Sequence, residues 1–150
     1  MYVDTAYLFH GINAETREKI LAVAVEESHS PGDFLFRQGE SAAHFYILNE
    51  GRVRMSVGKG LLAYTASAPG DIMGWSSLAE NPTYTASAEC RTAVKVLKLE
   101  KHRLDQILAE DCVSGMAFFK NLAALLGHRL VSSYQATLSV QGDRDPGVGG

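Results

Sequence analysis

Hydrophobic residues near the start of the chain recur at helical spacing. Ile20 is followed by Val23 and Ala24, three and four positions later, and Asn13 precedes them as a residue that can cap the first turn. Acidic residues stand early in the segment, where they favour a helix N-terminus. The pattern predicts one helix of three to four turns from Asn13 to about Glu27.

From about residue 28 to residue 100 the hydrophobic pattern changes to a period of two. Short apolar runs alternate with glycine-containing segments in which the backbone can reverse its direction. The alternating apolar pairs are Phe34 and Phe36, Phe45 and Ile47, and Val53 and Met55. Each pair predicts a strand with one buried face. The segment as a whole predicts about seven or eight short strands, which is typical of a jelly roll or an antiparallel barrel.

Beyond Glu100 the helical period returns. Residues 101–111 predict a short helix, and residues 112–141 predict a long helix with two apolar faces. One face comprises Phe118, Leu122, Leu125 and Arg129, and the other follows the spacing of a coiled coil through Met116, Phe119, Ala123, Leu126, Leu130, Ser133 and Thr137.

Two apolar faces on one helix indicate two contacts, one with the helix's own domain and one with a partner. We therefore expect a homodimer formed through the long helix. The last residues, 141–150, contain many turn formers and few apolar side chains, so they predict a flexible tail. The expected organisation is one mainly β domain with flanking helices over residues 1–140, with a roll over about 28–100 and C-terminal helices over about 101–140.

Composition and charge restrict the class of function. The chain has 150 residues, 46% hydrophobic and 21% charged, which suits one globular domain. A net charge of -3 gives no basic field, so we expect no direct nucleic acid binding. No basic region followed by an apolar run opens the chain, and no apolar stretch approaches the length of about 20 residues that a membrane helix needs. We expect a cytoplasmic protein that does not bind membranes.

The residues that commonly support catalysis or bind metals are scattered. The two cysteines, Cys90 and Cys112, form no CxxC motif and are expected to be buried free thiols. The five histidines lack the HxH pattern of a metal-dependent jelly-roll enzyme, so neither a metal site nor an enzyme is expected.

Several motifs occur in a characteristic order: "LFHGIN", "PGDFLFRQGE", "FYILNEGRVRM" and "APGDIMGWSSL". Together with the helix–roll–helix pattern, they resemble the cyclic nucleotide-binding domain of the catabolite activator and fumarate-nitrate regulator (Crp/Fnr) superfamily, from Leu8 to Leu138. The resemblance implies a double-stranded β-helix, or jelly roll, that senses a ligand and signals through a long dimerising helix. About a dozen residues follow Leu138, so we expect no DNA-binding domain in this sequence.

The resemblance places a phosphate-binding cassette at residues 70–90, "GDIMGWSSLAENPTYTASAEC". In the family this cassette usually reads FGE(L/I)(A/G)L and, after a short loop, RxA(T/S). Gly74 matches the family glycine, Trp75 replaces the glutamate that accepts from the ribose, and Tyr84 replaces the arginine that pairs with the cyclic phosphate. The other cassette positions expected to contact a ligand are Ser76, Ser77, Thr85 and Ala86.

The long helix offers further candidate contacts. "GHRLVSSYQATL" resembles the activator's stretch in which a basic residue precedes two residues that reach the nucleotide base. Arg129 matches the basic residue, and Ser133 and Tyr134 match the two base-contacting positions.

Two interpretations follow from the replacement of the family's glutamate and arginine by uncharged residues. In the first, the domain senses a ligand, binding a cyclic nucleotide weakly or holding another small anionic or planar ligand against Trp75, the cassette hydroxyls and Tyr84. The second is a ligand-free dimerisation or interaction module, with Trp75 plugging a degenerate pocket. Loss of a charge-assisted pair to phosphate removes roughly 1.5 to 3 kcal/mol of binding free energy, which is one to two decades of affinity.

Overall fold

The computed structural model describes residues 7–143, which form eight strands in two four-stranded sheets and three α-helices. The strands are β1 (Val25–His29), β2 (Phe34–Phe36), β3 (His44–Glu50), β4 (Val53–Val57), β5 (Leu61–Ala66), β6 (Ile72–Met73), β7 (Ser87–Cys90) and β8 (Val94–Glu100). The helices are α1 (Ala14–Val23), α2 (Lys101–Glu110) and α3 (Cys112–Asp143), and a short 3-10 helix covers Tyr7–Phe9. The predicted jelly roll with flanking helices is confirmed.

The two sheets face each other and pair in an order that is not sequential. The first sheet has the order β1-β8-β3-β6 and the second β2-β7-β4-β5, with antiparallel pairing throughout. Side chains between them form one core, which includes Tyr46, Leu48, Val53, Ala88 and Val96. This arrangement brings β6 and the residues after it beside β3, which positions the cassette.

A second core lies between the first sheet and the helices. Phe45 and Leu97, from two neighbouring strands, pack there with Ile20, Leu104 and Phe118 from the three helices. As a result β3 and β8 are buried on both faces, and the prediction that each strand buries one face is wrong for these two. The helices cover the face that a two-layer sandwich would leave to solvent.

The first helix ends earlier than predicted. Asn13 caps α1 by accepting from the Glu15 N–H, as expected, but the helix stops at Val23 rather than near Glu27. The following residues form β1, whose Val25 pairs with Lys98 of β8. Backbone pairing with β8 therefore overrides the helical pattern, and the roll begins at residue 25 rather than 28.

The two predicted faces of α3 are present only in part, because Leu126 of the predicted coiled-coil face packs against the core under the helices. Phe118 and Leu122 are buried against the domain, whereas Met116 is 62% and Leu130 is 53% exposed. The helix continues to Asp143, two residues beyond its predicted end at 141, so the start of the predicted tail is helical. The rest of that predicted tail, 144–150, lies outside the described residues. Within residues 7–143, no helix is both long and apolar enough to cross a membrane.

The two thiols differ in exposure. Cys90 is buried between the sheets, and burial raises the pKa of its thiol to about 11. Cys112 is exposed at the start of α3. The expectation of two buried thiols is therefore wrong for Cys112, because the first turn of α3 leaves this position on the surface.

Candidate functional site

The cassette turns sharply where β6 ends. Gly74 has φ +75°, and a Cβ atom there would lie 2.9 Å from the backbone oxygen of His44. Glycine is therefore required for two reasons, the left-handed backbone and the close approach to β3. A short 3-10 helix, Trp75–Ser77, follows directly.

Tyr84 is built into the core. Its ring stacks on Phe36, with centroids 4.0 Å apart and planes 18° apart, and only 4% of the residue is exposed. The hydroxyl donates to the His44 carbonyl at 2.7 Å and accepts from the His44 N–H at 3.1 Å. Burial raises the pKa of this phenol. A phenol carries one proton, so Tyr84 has none left to donate to an anion, contrary to our expectation.

The remaining cassette hydroxyls also bind within the protein. Ser77 is fully buried and donates to the Gly74 carbonyl at 2.9 Å, which stabilises the tight turn. Ser76 and Thr85 lie with their hydroxyl oxygens 3.1 Å apart, sharing one hydrogen bond. The hydroxyl that donates keeps its lone pairs, and the one that accepts keeps its proton, so both can form a further hydrogen bond.

A cavity of about 240 Å³, which we call the cassette cavity, lies inside the roll against this segment. Its walls are aromatic, aliphatic and hydroxyl-bearing, and none of the described residues lines it with a charged side chain. The wall comprises Phe36, Met55, Val57, Ala63, Tyr64, Gly74, Trp75, Ser76, Tyr84, Thr85 and Ala86. Trp75 is half-buried and also packs against the core under the helices, so it belongs both to the cavity and to the core.

A second cavity of about 450 Å³, which we call the helix cavity, lies between the roll and α3. The roll contributes Ala63, Tyr64, Thr65, Gly70, Asp71 and Ile72, and α3 contributes Leu125, His128, Arg129, Ser132 and Ser133. The Arg129 guanidinium stacks on Tyr64, 3.5 Å from the ring centroid. Burial raises the pKa of the Tyr64 phenol, an effect that the Arg129 charge opposes. Ala63 and Tyr64 belong to both walls, so the two cavities are neighbours.

The structure separates the predicted site residues into groups. Gly74, Trp75, Ser76, Tyr84, Thr85 and Ala86 line the cassette cavity, whereas Ser77 lies behind it. Arg129 and Ser133 line the helix cavity, so Ser133 faces the roll rather than lying only along the exposed face. Tyr134 is 61% exposed and lines neither cavity.

The sequence analysis missed Tyr64, which is shared by both cavities. Its signal was weak, because β5 follows no clean alternation and most of its residues are exposed. Among the described residues, no cluster of histidine, cysteine, aspartate or glutamate could hold a metal ion.

Comparison with known proteins gives a family match over most of the roll. The sequence model of the cyclic nucleotide-binding domain matches residues 26–111. These residues include the cassette and end before α3 begins.

Solved structures share the fold. The structure of a candidate cyclic nucleotide-binding protein from Geobacter metallireducens GS-15 matches with a TM-score of 0.76 and 26% identity, covering 84% of this chain and 93% of that one. The catabolite activator protein of Thermus thermophilus matches with a TM-score of 0.68 and 25% identity, covering 91% of this chain and 62% of that one.

A curated relative is the cAMP-dependent protein kinase type II regulatory subunit of Drosophila melanogaster. It is 22% identical over 121 residues, which is 80% of this chain. The aligned part spans only 31% of the length of that relative.

Proposed function

The chain belongs to the cyclic nucleotide-binding domain family, and on this premise we propose that it senses a small ligand and signals through α3. The relatives include a catabolite activator and a kinase regulatory subunit, and their regulatory character supports a ligand-sensing regulatory role that is not enzymatic. In this proposal the ligand occupies the cassette cavity and the adjoining helix cavity.

One observation carries the proposal: the neighbouring cavities connect the cassette to α3. Leu125, Arg129 and Ser132 form one wall of the helix cavity, and the roll forms the opposite wall. A ligand there contacts the roll and α3 together. It shifts the position of α3 to the extent that it binds two arrangements with different affinities.

The cassette supports weak rather than tight binding of cyclic nucleotides. A cyclic phosphate placed in the cassette cavity would meet no charged side chain of the part of the chain that the structure describes, since Trp75 and Tyr84 occupy the positions of the family's glutamate and arginine. Backbone N–H groups and hydroxyls alone would have to replace the solvation of the anion. We propose dissociation constants no tighter than roughly 10 μM for cyclic AMP and cyclic GMP.

The alternative is a dimerisation or interaction module that binds no ligand. It is favoured by the internal hydrogen bonds of Tyr84 and Ser77, because these two buried hydroxyls need no ligand to satisfy them. The two functions differ in one measurable property, since only a ligand that binds the native state raises its melting temperature.

A thermal-shift panel tests the proposed function. Cyclic AMP, cyclic GMP, other nucleotides and small metabolites are each added at about 1 mM to the parent protein and to Trp75→Ala. At 100 times the dissociation constant a ligand adds about 2.7 kcal/mol to native stability, so a 10 μM ligand is detected easily. We expect at least one compound to stabilise the parent and to stabilise Trp75→Ala less.

Tyr7→Ala is the matched control, because it removes a half-exposed aromatic ring that lines neither cavity and lies outside α3. It should respond to each compound as the parent does. If no compound raises the melting temperature of the parent, the interaction module replaces the sensor.

A further inference from the structure

The two cavities differ in charge. Within residues 7–143 the wall of the cassette cavity has no charged side chain, whereas the helix cavity has Asp71, His128 and Arg129. The family resemblance implies the reverse distribution, with the arginine and the phosphate in the cassette and the flat base towards the helix. Here the cation is on α3 and the aromatic surface is in the cassette.

Arg129 is placed to bind an anion. None of the ion pairs formed by the described residues includes it. Its guanidinium lies face-on against Tyr64, 3.5 Å from the ring centroid, which leaves the N–H groups around its edge for a carboxylate or phosphate. The nearby carboxylate of Asp71 accepts from the backbone N–H groups of Ser67 and Ala68, both at 3.0 Å, and so stabilises its own turn.

The cassette cavity is suited to an uncharged flat ring. Phe36 and Tyr84 stack on each other, and Trp75 and Tyr64 supply further aromatic walls. An engineered apolar cavity of about 150 Å³ binds benzene, so a cavity of about 240 Å³ has room for a ring system somewhat larger than benzene. The Ser76 and Thr85 hydroxyls offer the polar contact that fixes a heteroatom of such a ring.

We propose that the ligand is a planar ring compound with one anionic group, bound with its ring in the cassette cavity and its anion on Arg129. The orientation is therefore opposite to that implied by the family cassette. This inference rests on the proposed function, because it names the chemical class of the ligand for the same site. Tyr64, which lies in both walls, contacts the ring on one side and Arg129 on the other.

A matched pair of probes tests this orientation. Indole-3-acetate carries the anion, and indole-3-acetamide has nearly the same shape without the charge. We expect titration calorimetry to show that the parent binds the acetate about tenfold more tightly than the amide, the effect of a modest charge-assisted contact. Arg129→Gln should remove this preference, and Trp75→Ala should weaken both probes by a similar factor.

Arg52→Gln is the matched control, because it removes an exposed arginine on the turn before β4. It should keep the tenfold preference. Equal affinity of the parent for the two probes, or a preference that survives Arg129→Gln, would overturn the orientation. Binding of cyclic AMP with no binding of either probe would also overturn it, while the sensor itself would stand.

A different result is expected if the proposed sensing function is itself wrong. In that case neither probe nor any compound of the thermal-shift panel binds the parent, and both proposals are wrong.

Discussion

At the position where the family resemblance implies an arginine, Tyr84 places its one hydroxyl proton on the carbonyl of His44. The same oxygen accepts from the His44 N–H, so one side chain satisfies both backbone groups of a residue 40 positions away. The backbone of Gly74 also approaches that carbonyl closely. The cassette is thus held to β3 by contacts within the protein that need no phosphate.

Removing the Tyr84 hydroxyl should therefore affect stability more than binding. In Tyr84→Phe the His44 carbonyl and N–H lose their partner in a mostly buried site, which costs about 1 to 3 kcal/mol. We expect urea unfolding to show a loss of that size in the free energy of unfolding. The affinity for any ligand of the cassette cavity should change less than threefold, since the ring and its stacking on Phe36 remain.

Tyr7→Phe is the control for this change, because it removes a hydroxyl from a half-exposed ring outside α3 and should leave stability within about 0.5 kcal/mol of the parent. A Tyr84→Phe protein that is as stable as the parent but binds much more weakly would mean that the hydroxyl serves the ligand.

Local motifs predict some of these residues and not others. The need for glycine at position 74 could be predicted, because the motif itself places a turn there. The hydrogen-bond partner of Tyr84 could not be predicted. Its contact with His44 depends on how the two sheets close and not on residues nearby in the sequence. The same reasoning explains why Ser77 was assigned to the ligand although its hydroxyl closes its own turn.

At the scale of the elements, the hydrophobic period of two residues predicts where the strands are but not which of their faces are buried. β3 and β8 lie centrally in the first sheet, between the opposite sheet and the helices, so their apolar residues occupy both faces. β1 shows the opposite case. It is an edge strand with the sequence "VEESH", too polar for a strand pattern, and its backbone pairing with β8 defines it.

Helical geometry separates the candidate residues on α3. Arg129 and Ser133 are four positions apart and share a face, which agrees with their place in the helix cavity. Tyr134 is one position further, about 100° around the helix. It is 18 positions from Met116, five full turns, so it shares the exposed face of that residue. The helical period alone could have predicted that Tyr134 lies on this exposed face and not in the ligand site.

At the scale of the whole molecule, one face of α3 exposes an apolar stripe. Met116, Leu130, Tyr134 and Leu138 are each more than half exposed along it. Such a stripe at helical spacing is typical of a contact between helices. We propose that a second copy of the chain covers it, so that the two α3 helices form the centre of a homodimer.

A charge in this stripe should separate the subunits. Leu130→Lys places an ammonium group in the apolar contact, and we expect the dimer dissociation constant to rise at least tenfold. Sedimentation velocity over a range of concentrations measures the change. Gln106→Lys adds the same charge on the exposed surface of α2 and should leave the dimer intact. A parent that sediments as a monomer, or a Leu130→Lys protein that remains dimeric, would contradict the proposal.

The central claim is that a ligand in the two cavities is sensed by α3, and amide hydrogen exchange with and without the strongest stabiliser of the thermal-shift panel tests it most directly. We predict altered exchange both in the cassette, residues 74–86, and in the part of α3 that lines the helix cavity, residues 125–133. Trp75→Ala should lose both changes at the same ligand concentration. Exchange that changes in the cassette while α3 is unaffected would contradict the claim.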